Sequence, residues 1–173
     1  MKISRRLLIT ATVAAVLAAL AVYIAGRTPF EEQSPAVGEA APELHLADVT
    51  GRMLSLDDLR GSVVLINFWA DWCPPCMAEL VWFEKVYSDY RDRGLHIVAI
   101  STGDITPGDA AGLGVSFPVA VINDRVRSSY GDVSDVPVSF LIGRDGRIIR
   151  KVRRAWPEDS LREELAAALK ASD

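Results

Sequence analysis

Two cysteines and two histidines are all that 173 residues supply. A small domain stapled by disulfides carries several bridges, so that architecture is excluded. A closed tetrahedral metal site needs four ligands, and Cys73 and Cys76 lack further partners unless His45 and His96, both in predicted strands, come to them. Basic charge is also scarce. Nineteen Lys and Arg face 23 Asp and Glu, a formal net charge of −4. Setting aside Lys2, Arg5 and Arg6 leaves 16 against 23, or −7, for everything that follows them. Nucleic-acid binding is disfavoured by that balance. No internal repeat and no long low-complexity tract is present, which excludes a solenoid.

One uncharged run stands out instead. Leu7 to Gly26 is twenty residues without a charge, which as a helix at about 1.5 Å per residue spans roughly 30 Å of hydrocarbon. Lys2, Arg5 and Arg6 precede the run, whereas Arg27 is soon followed by Glu31 and Glu32. The positive-inside tendency therefore puts the amino end in the cytoplasm and exports the rest. A cleaved signal peptide competes, since Ala19-Leu20-Ala21 is a small-residue pattern, but the run exceeds the ~7 to 15 residues of a signal core. Arg5-Arg6 also matches the arginine pair of twin-arginine signals. The organisation expected is a cytoplasmic tip and membrane anchor over 1–26, a tether over 27–42 rich in Pro, Gly, Glu and small residues, and one globular domain over 43–173.

Within that domain "LHLADVTGRMLSL" alternates around Thr50-Gly51 as a short hairpin does. Val63 to Ala70 is a nearly continuous apolar run, the pattern of a central strand covered on both faces. Cys73 to about Arg93 reads as a helix, with Leu80, Phe83, Tyr87 and Tyr90 at spacings of three and four, Pro74 and Pro75 tolerated in the first turn, and Gly94 closing the far end. "LHIVAIST" is a second buried strand. "GDITPGDAAGLGVS" supports at most one short helix, followed by the apolar "FPVAVI" and the helical "DRVRSSYG". "VPVSFLIG" and "RIIRKVRRA" form a hairpin across "RDG". Pro157 to Ala171 closes the chain as a helix with Leu161, Leu165, Ala168 and Leu169 on one face, and Ser160 with Glu163 fits a capping-box spacing near its start. Strand, helix, strand, helical linker, hairpin and helix make an α/β fold on a mixed sheet.

A strand that ends at Ala70 and feeds a helix near Cys73 puts that sulfur at a helix N-terminus, where unpaired amides and the macrodipole favour a thiolate. Cys76, three residues on, turns toward the helix body. One thiol is then free to attack and the other to resolve the mixed disulfide. Three other uses of the pair compete. A structural disulfide closing so short a loop contributes little chain entropy. An isolated pair is able to take a soft monovalent ion such as Cu(I). A peroxidatic cysteine needs a preceding Pro and Thr or Ser, which are missing here.

"FWADWCPPC", followed some sixty residues later by "VPVSFLIGRDGRI" and preceded by "VGEAAPELHLADVTGRMLSLDDLRGS", resembles the membrane-anchored TlpA/ResA/CcmG (DsbE) branch of thioredoxin-like thiol-disulfide oxidoreductases, over roughly Val37 to Leu169. The resemblance implies a thioredoxin-like fold with an N-terminal β-hairpin extension and a single N-terminal transmembrane helix. It implies that Val136-Pro137 is a cis peptide beside the cysteines, offering its backbone to an extended substrate; an edge-strand start, where Pro is tolerated, is the plainer reading. Trp72 would wall the reactive thiol and meet the substrate, with Trp69 in the core. The position of thioredoxin's strand aspartate is Asn67, which cannot titrate, so Glu79 is the expected proton handler, against the alternative of a helix-surface glutamate. Val81 stands where many relatives have Pro, and "GDITPGDAAGLGVS" is shorter than the helix they insert.

The basic residues Arg144, Arg147, Arg150, Lys151, Arg153 and Arg154 suit a docking surface or a charged edge strand that resists sheet-to-sheet pairing. The function implied is reduction of a partner protein's disulfides in the bacterial periplasm, by a single-pass inner-membrane protein with no bound cofactor and no metal. Apocytochrome c is the favoured substrate, and copper handling or oxidase metal-site maturation is the alternative. A membrane electron donor of DsbD/CcdA type would re-reduce the pair.

Overall fold

The computed structural model describes residues 13–21 and 34–170. Residues 13–21 are helical and exposed. They fall inside the expected anchor, the remainder of which lies outside the described residues; among the described residues no helix is long and apolar enough to cross a membrane.

The second unit runs from Gln33. Its strands are β1 (Leu46–Ala47), β2 (Met53–Leu54), β3 (Val63–Trp69), β4 (Leu95–Ser101), β5 (Val119–Val121), β6 (Val138–Ile142) and β7 (Ile148–Val152). Its helices are α1 (Pro74–Tyr90), α2 (Pro107–Gly112), α3 (Asp124–Tyr130) and α4 (Glu158–Lys170). β1 and β2 pair as the expected antiparallel hairpin, and the other five strands form one sheet in the order β5-β4-β3-β6-β7. β3 lies parallel to β4 and antiparallel to β6. This is the mixed sheet expected of a thioredoxin-like fold.

All seven residues of β3 are buried, because the period-two alternation of a strand sends them to two cores. Val63, Leu65 and Trp69 join Leu80, Phe83 and Val86 of α1 and Leu161 and Leu165 of α4. Val64, Ile66 and Phe68 face the opposite way, onto Tyr130, Phe140 and the incoming Leu44 and Leu46. Phe68, Tyr130 and Phe140 form an aromatic triangle with centroids 5.2 to 6.1 Å apart, a spacing that adds edge-to-face attraction to area burial.

α1 runs unbroken past Val81, continues as a 3-10 turn over Arg91–Arg93, and stops at Gly94, whose φ of 92° only glycine takes readily. The expected cap on the last helix is corrected. α4 begins at Glu158, so Ser160 lies inside its first turn, where its hydroxyl accepts the Trp156 indole N–H at 3.4 Å. A capping box does form, at Thr106 and Asp109 opening α2.

Both edges of the sheet are covered by the segment that precedes β3. At one edge Ala40 faces Arg147, with the Gly38 amide donating to Ile148 O (2.8 Å) and the Ile148 amide to Glu39 O (2.9 Å). At the other, Asp48 faces Ala120 and the Val49 amide donates to Val119 O at 2.9 Å. Residues 34–42, expected as tether, are thus part of the folded body. Their attachment is mostly through backbone, with Ser34 Oγ donating to Tyr130 O (2.7 Å) and Tyr130 Oη to Pro42 O (2.8 Å). The basic strand β7 is at an edge of the sheet, with Arg150 and Lys151 in it and Arg147 just before it.

Gly131 sits where this lead-in crosses the end of α3, at φ 75° and ψ −157°, a region reserved for glycine. A Cβ there would stand 2.7 Å from Ser34 Cβ and 2.9 Å from Ser34 Cα. Gly131→Ala is expected to cost about 2 to 3 kcal/mol and to speed hydrogen exchange at the Ile148 amide. Urea unfolding unchanged from wild type would contradict this packing.

Candidate active site

β3 ends at Trp69, and the turn Ala70-Asp71-Trp72 delivers Cys73 as the N-cap of α1, with φ −101° and ψ 98°. A helix begins with four amides that lack intrahelical partners. Here Pro74 and Pro75 remove two, the Cys73 amide donates to Ala70 O at 3.2 Å, and the Cys76 amide donates to Cys73 Sγ at 3.3 Å. The sulfur occupies the place of a capping oxygen. It is bonded to Cys76 in a disulfide with a Cα–Cα separation of 5.3 Å.

The expectation that Cys73 is open and Cys76 turned inward holds in order but not in degree. Cys73 is 4% exposed and Cys76 fully buried. The reason lies across the sheet: Val136-Pro137 is a cis peptide, and Val136 O lies 3.8 Å from Cys73 Sγ. Trp72, 68% exposed, stands beside the pair, while Trp69 is in the core as expected.

Glu79 is not on the surface. It is 1% exposed, with Oε1 accepting the Trp156 amide at 2.7 Å and Oε2 accepting Asn67 Nδ2 at 3.3 Å. Burial pushes its carboxyl up to about 7, against the downward pull of those two hydrogen bonds. Asn67 Nδ2 also donates to Ser139 Oγ at 3.0 Å. The structure thus gathers Cys73, Cys76, Val136 and Pro137 at one end of α1 and sets Glu79 one turn along the same helix.

Ser139 and Trp156 escape the sequence reading. Ser139 left a faint signal, being the single polar residue within β6 as Asn67 is within β3, and the two are register partners. Trp156 contributes only a backbone amide, which no side-chain pattern reveals. Among the described residues no group of three or more His, Cys, Asp and Glu is placed to hold a metal; His96 lies in β4 and His45 just before β1.

A sulfur pair at a helix start, faced by a backbone carbonyl and built on this sheet, defines a thiol-disulfide oxidoreductase of thioredoxin-like fold. The AhpC/TSA family model matches residues 37–151. The thiol-disulfide oxidoreductase ResA of Bacillus subtilis is 32% identical over 94% of this chain and 93% of its own length, and that of Geobacillus thermodenitrificans 32% over 95% and 97%. Among solved structures, a Chlorobium tepidum protein provisionally assigned as thiol:disulfide interchange protein DsbE superposes with a TM-score of 0.69 at 32% identity, covering 79% of this chain and 99% of that one. The thioredoxin domain of a Bacteroides vulgatus thiol-disulfide oxidoreductase gives 0.67 at 26%, over 78% and 99%. The chain belongs to the AhpC/TSA family and is a TlpA/ResA/CcmG-like thiol-disulfide oxidoreductase of the thioredoxin type.

The buried carboxyl links stability to pH. The folded value of about 7 exceeds the ordinary 4.5, so the folded state holds an extra proton between them. The contribution is fully favourable below about pH 4.5 and is lost as pH rises through 7. For the oxidised protein the loss reaches at most about 3 kcal/mol. Glu79→Gln cannot titrate and should flatten the dependence. Urea unfolding of both proteins near pH 5 and near pH 8 reads this; parallel slopes would count against it.

Proposed function

We propose that this protein is a membrane-anchored reductant that faces the bacterial periplasm and opens disulfides in a partner protein, with apocytochrome c before haem attachment as the favoured substrate. Residues 7–26 supply the anchor. The observation that carries the reading is the Val136 carbonyl 3.8 Å from Cys73 Sγ. An extended substrate paired to that backbone has its own sulfur held at the attacking atom.

In the reduced protein the Cys73 thiolate attacks one sulfur of the substrate disulfide, forming a mixed disulfide and releasing the other sulfur as a thiolate. Glu79, as carboxylate, takes the proton of Cys76. The Cys76 thiolate then attacks Cys73 Sγ, the intramolecular disulfide forms, and the second substrate sulfur leaves as a thiolate. Two electrons pass to the substrate. Trp72 gives the bound peptide an apolar surface beside the exchanging sulfurs. A membrane dithiol carrier of DsbD/CcdA type returns the two electrons, and the cysteine pair itself carries all the redox chemistry.

Cys76→Ala is expected to hold the partner on Cys73 as a stable mixed disulfide. Identification of an apocytochrome in that adduct supports the reading, whereas an oxidase subunit or a copper carrier moves it to metal-site maturation. Glu79→Gln should slow partner reduction tenfold or more while leaving alkylation of Cys73 intact. The full chain should stay in the membrane pellet after alkaline extraction, and a chain lacking residues 1–26 should not; release of both would remove the anchor.

A further inference from the structure

Asn67 and Ser139 interrupt two otherwise apolar strands, face each other in register, and are completely buried. Burying an amide is costly unless its donors and acceptor are all met, and Asn67 meets only half. Its Nδ2 donates to Glu79 Oε2 and to Ser139 Oγ. Its Oδ1, buried, finds no hydrogen-bond partner among the described residues. An aliphatic side chain would fill the same space in a sheet core without that penalty.

We infer that Asn67 is a positioning residue for the exchange reaction: its amide turns over as Glu79 gains and loses a proton, and Ser139 changes from acceptor to donor with it. The inference rests on Glu79 being the proton handler.

With Glu79 ionised, each carboxylate oxygen has one donor, the Trp156 amide on Oε1 and Asn67 Nδ2 on Oε2. A backbone amide cannot accept, so an arriving proton settles on Oε2. That proton meets Nδ2–H, donor against donor. A half-turn about χ2 replaces Nδ2 by Oδ1, which accepts from Glu79 Oε2–H and, once the hydroxyl rotates, from Ser139 Oγ–H. Three hydrogen bonds exist in either state, and the orphan atom is Oδ1 in one and Nδ2 in the other.

An immobile donor in place of Asn67 would hold Glu79 ionised, and an immobile acceptor would hold it protonated. A group that takes the Cys76 proton when the disulfide forms and returns it when the disulfide opens needs both states nearly balanced. An amide, with acceptor and donor on either side of one rotatable bond, provides that. Among the described residues no ionised side chain contributes to the surroundings of Glu79. The groups facing it are Asn67 of β3, Ser139 of β6 through that amide, the Trp156 amide ahead of α4, and on α1 the two cysteines, which do not titrate when bridged.

The test uses the oxidised chain with 13C-labelled glutamate carboxyls, followed by NMR across the titration of Glu79. Asn67→Ala removes a partner from both protonation states and should move the Glu79 midpoint by well under one pH unit, a rise of about one unit being what loss of a fixed donor would give. In the wild-type protein, cross-relaxation between the Asn67 side-chain amide protons and Ser139 Hβ should be strong above the midpoint and lost below it. A midpoint raised by about one pH unit or more in Asn67→Ala overturns the inference, and so does cross-relaxation that persists on both sides, a result that needs no variant to fold. Failure of Glu79 as proton handler shows elsewhere, as wild-type exchange rates in Glu79→Gln, so the two outcomes stay distinct.

Discussion

The start of α1 has almost no freedom in where its donors go. Two of its four leading amides are removed by proline, a third closes the turn onto Ala70, and the last points at the Cys73 sulfur. A negative charge arriving on that sulfur meets a donor already aimed and the positive end of a seventeen-residue helix behind it. Everything else serves to place the cap: β3 must end at Trp69, the helix must start at Pro74, and β6 must bring Val136 alongside. Because the sulfur is itself the cap, opening the disulfide need not disturb the helix start.

The acid partner is shaped by the opposite pressure. A helix N-terminus makes a thiol more acidic, and burial makes a carboxyl less so. Burial carries the Glu79 carboxyl up to about 7. The cost is visible as a buried polar cluster inside a sheet core, in which one amide oxygen has no hydrogen-bond partner among the described residues.

The elements that carry side-chain periodicity were legible in the chain. The apolar run of β3, the three-and-four spacing of α1, the hairpin around Gly51 and the short helix near Pro107 all leave a pattern because burial selects their residues. So did the reactive pair, since a CxxC at a strand-to-helix junction states its position in the fold. Elements held mostly through backbone groups left none. Residues 34–42 read as linker because Gly38 and Glu39 give an amide and a carbonyl to Ile148 of β7 and Ala41 an amide to Gly146, and Trp156 drew no reading because what grips Glu79 is its backbone amide. The misplaced cap at Ser160 has a similar origin: Trp156 needs a hydroxyl for its indole, and the spacing to Glu163 imitates a different motif.

The way residues 38 to 49 cross from β7 to β5 has a consequence for how the domain is handled. A sheet with two bare margins is a template for another copy, and here a single strap bridges to each margin, to Arg147 at the start of β7 and to Ala120 of β5. A soluble fragment cut at Glu43 would keep the catalytic sulfurs yet lose the half of the strap that seals β7. Such a truncation invites side-by-side stacking of molecules, and a useful one has to begin upstream of Ser34.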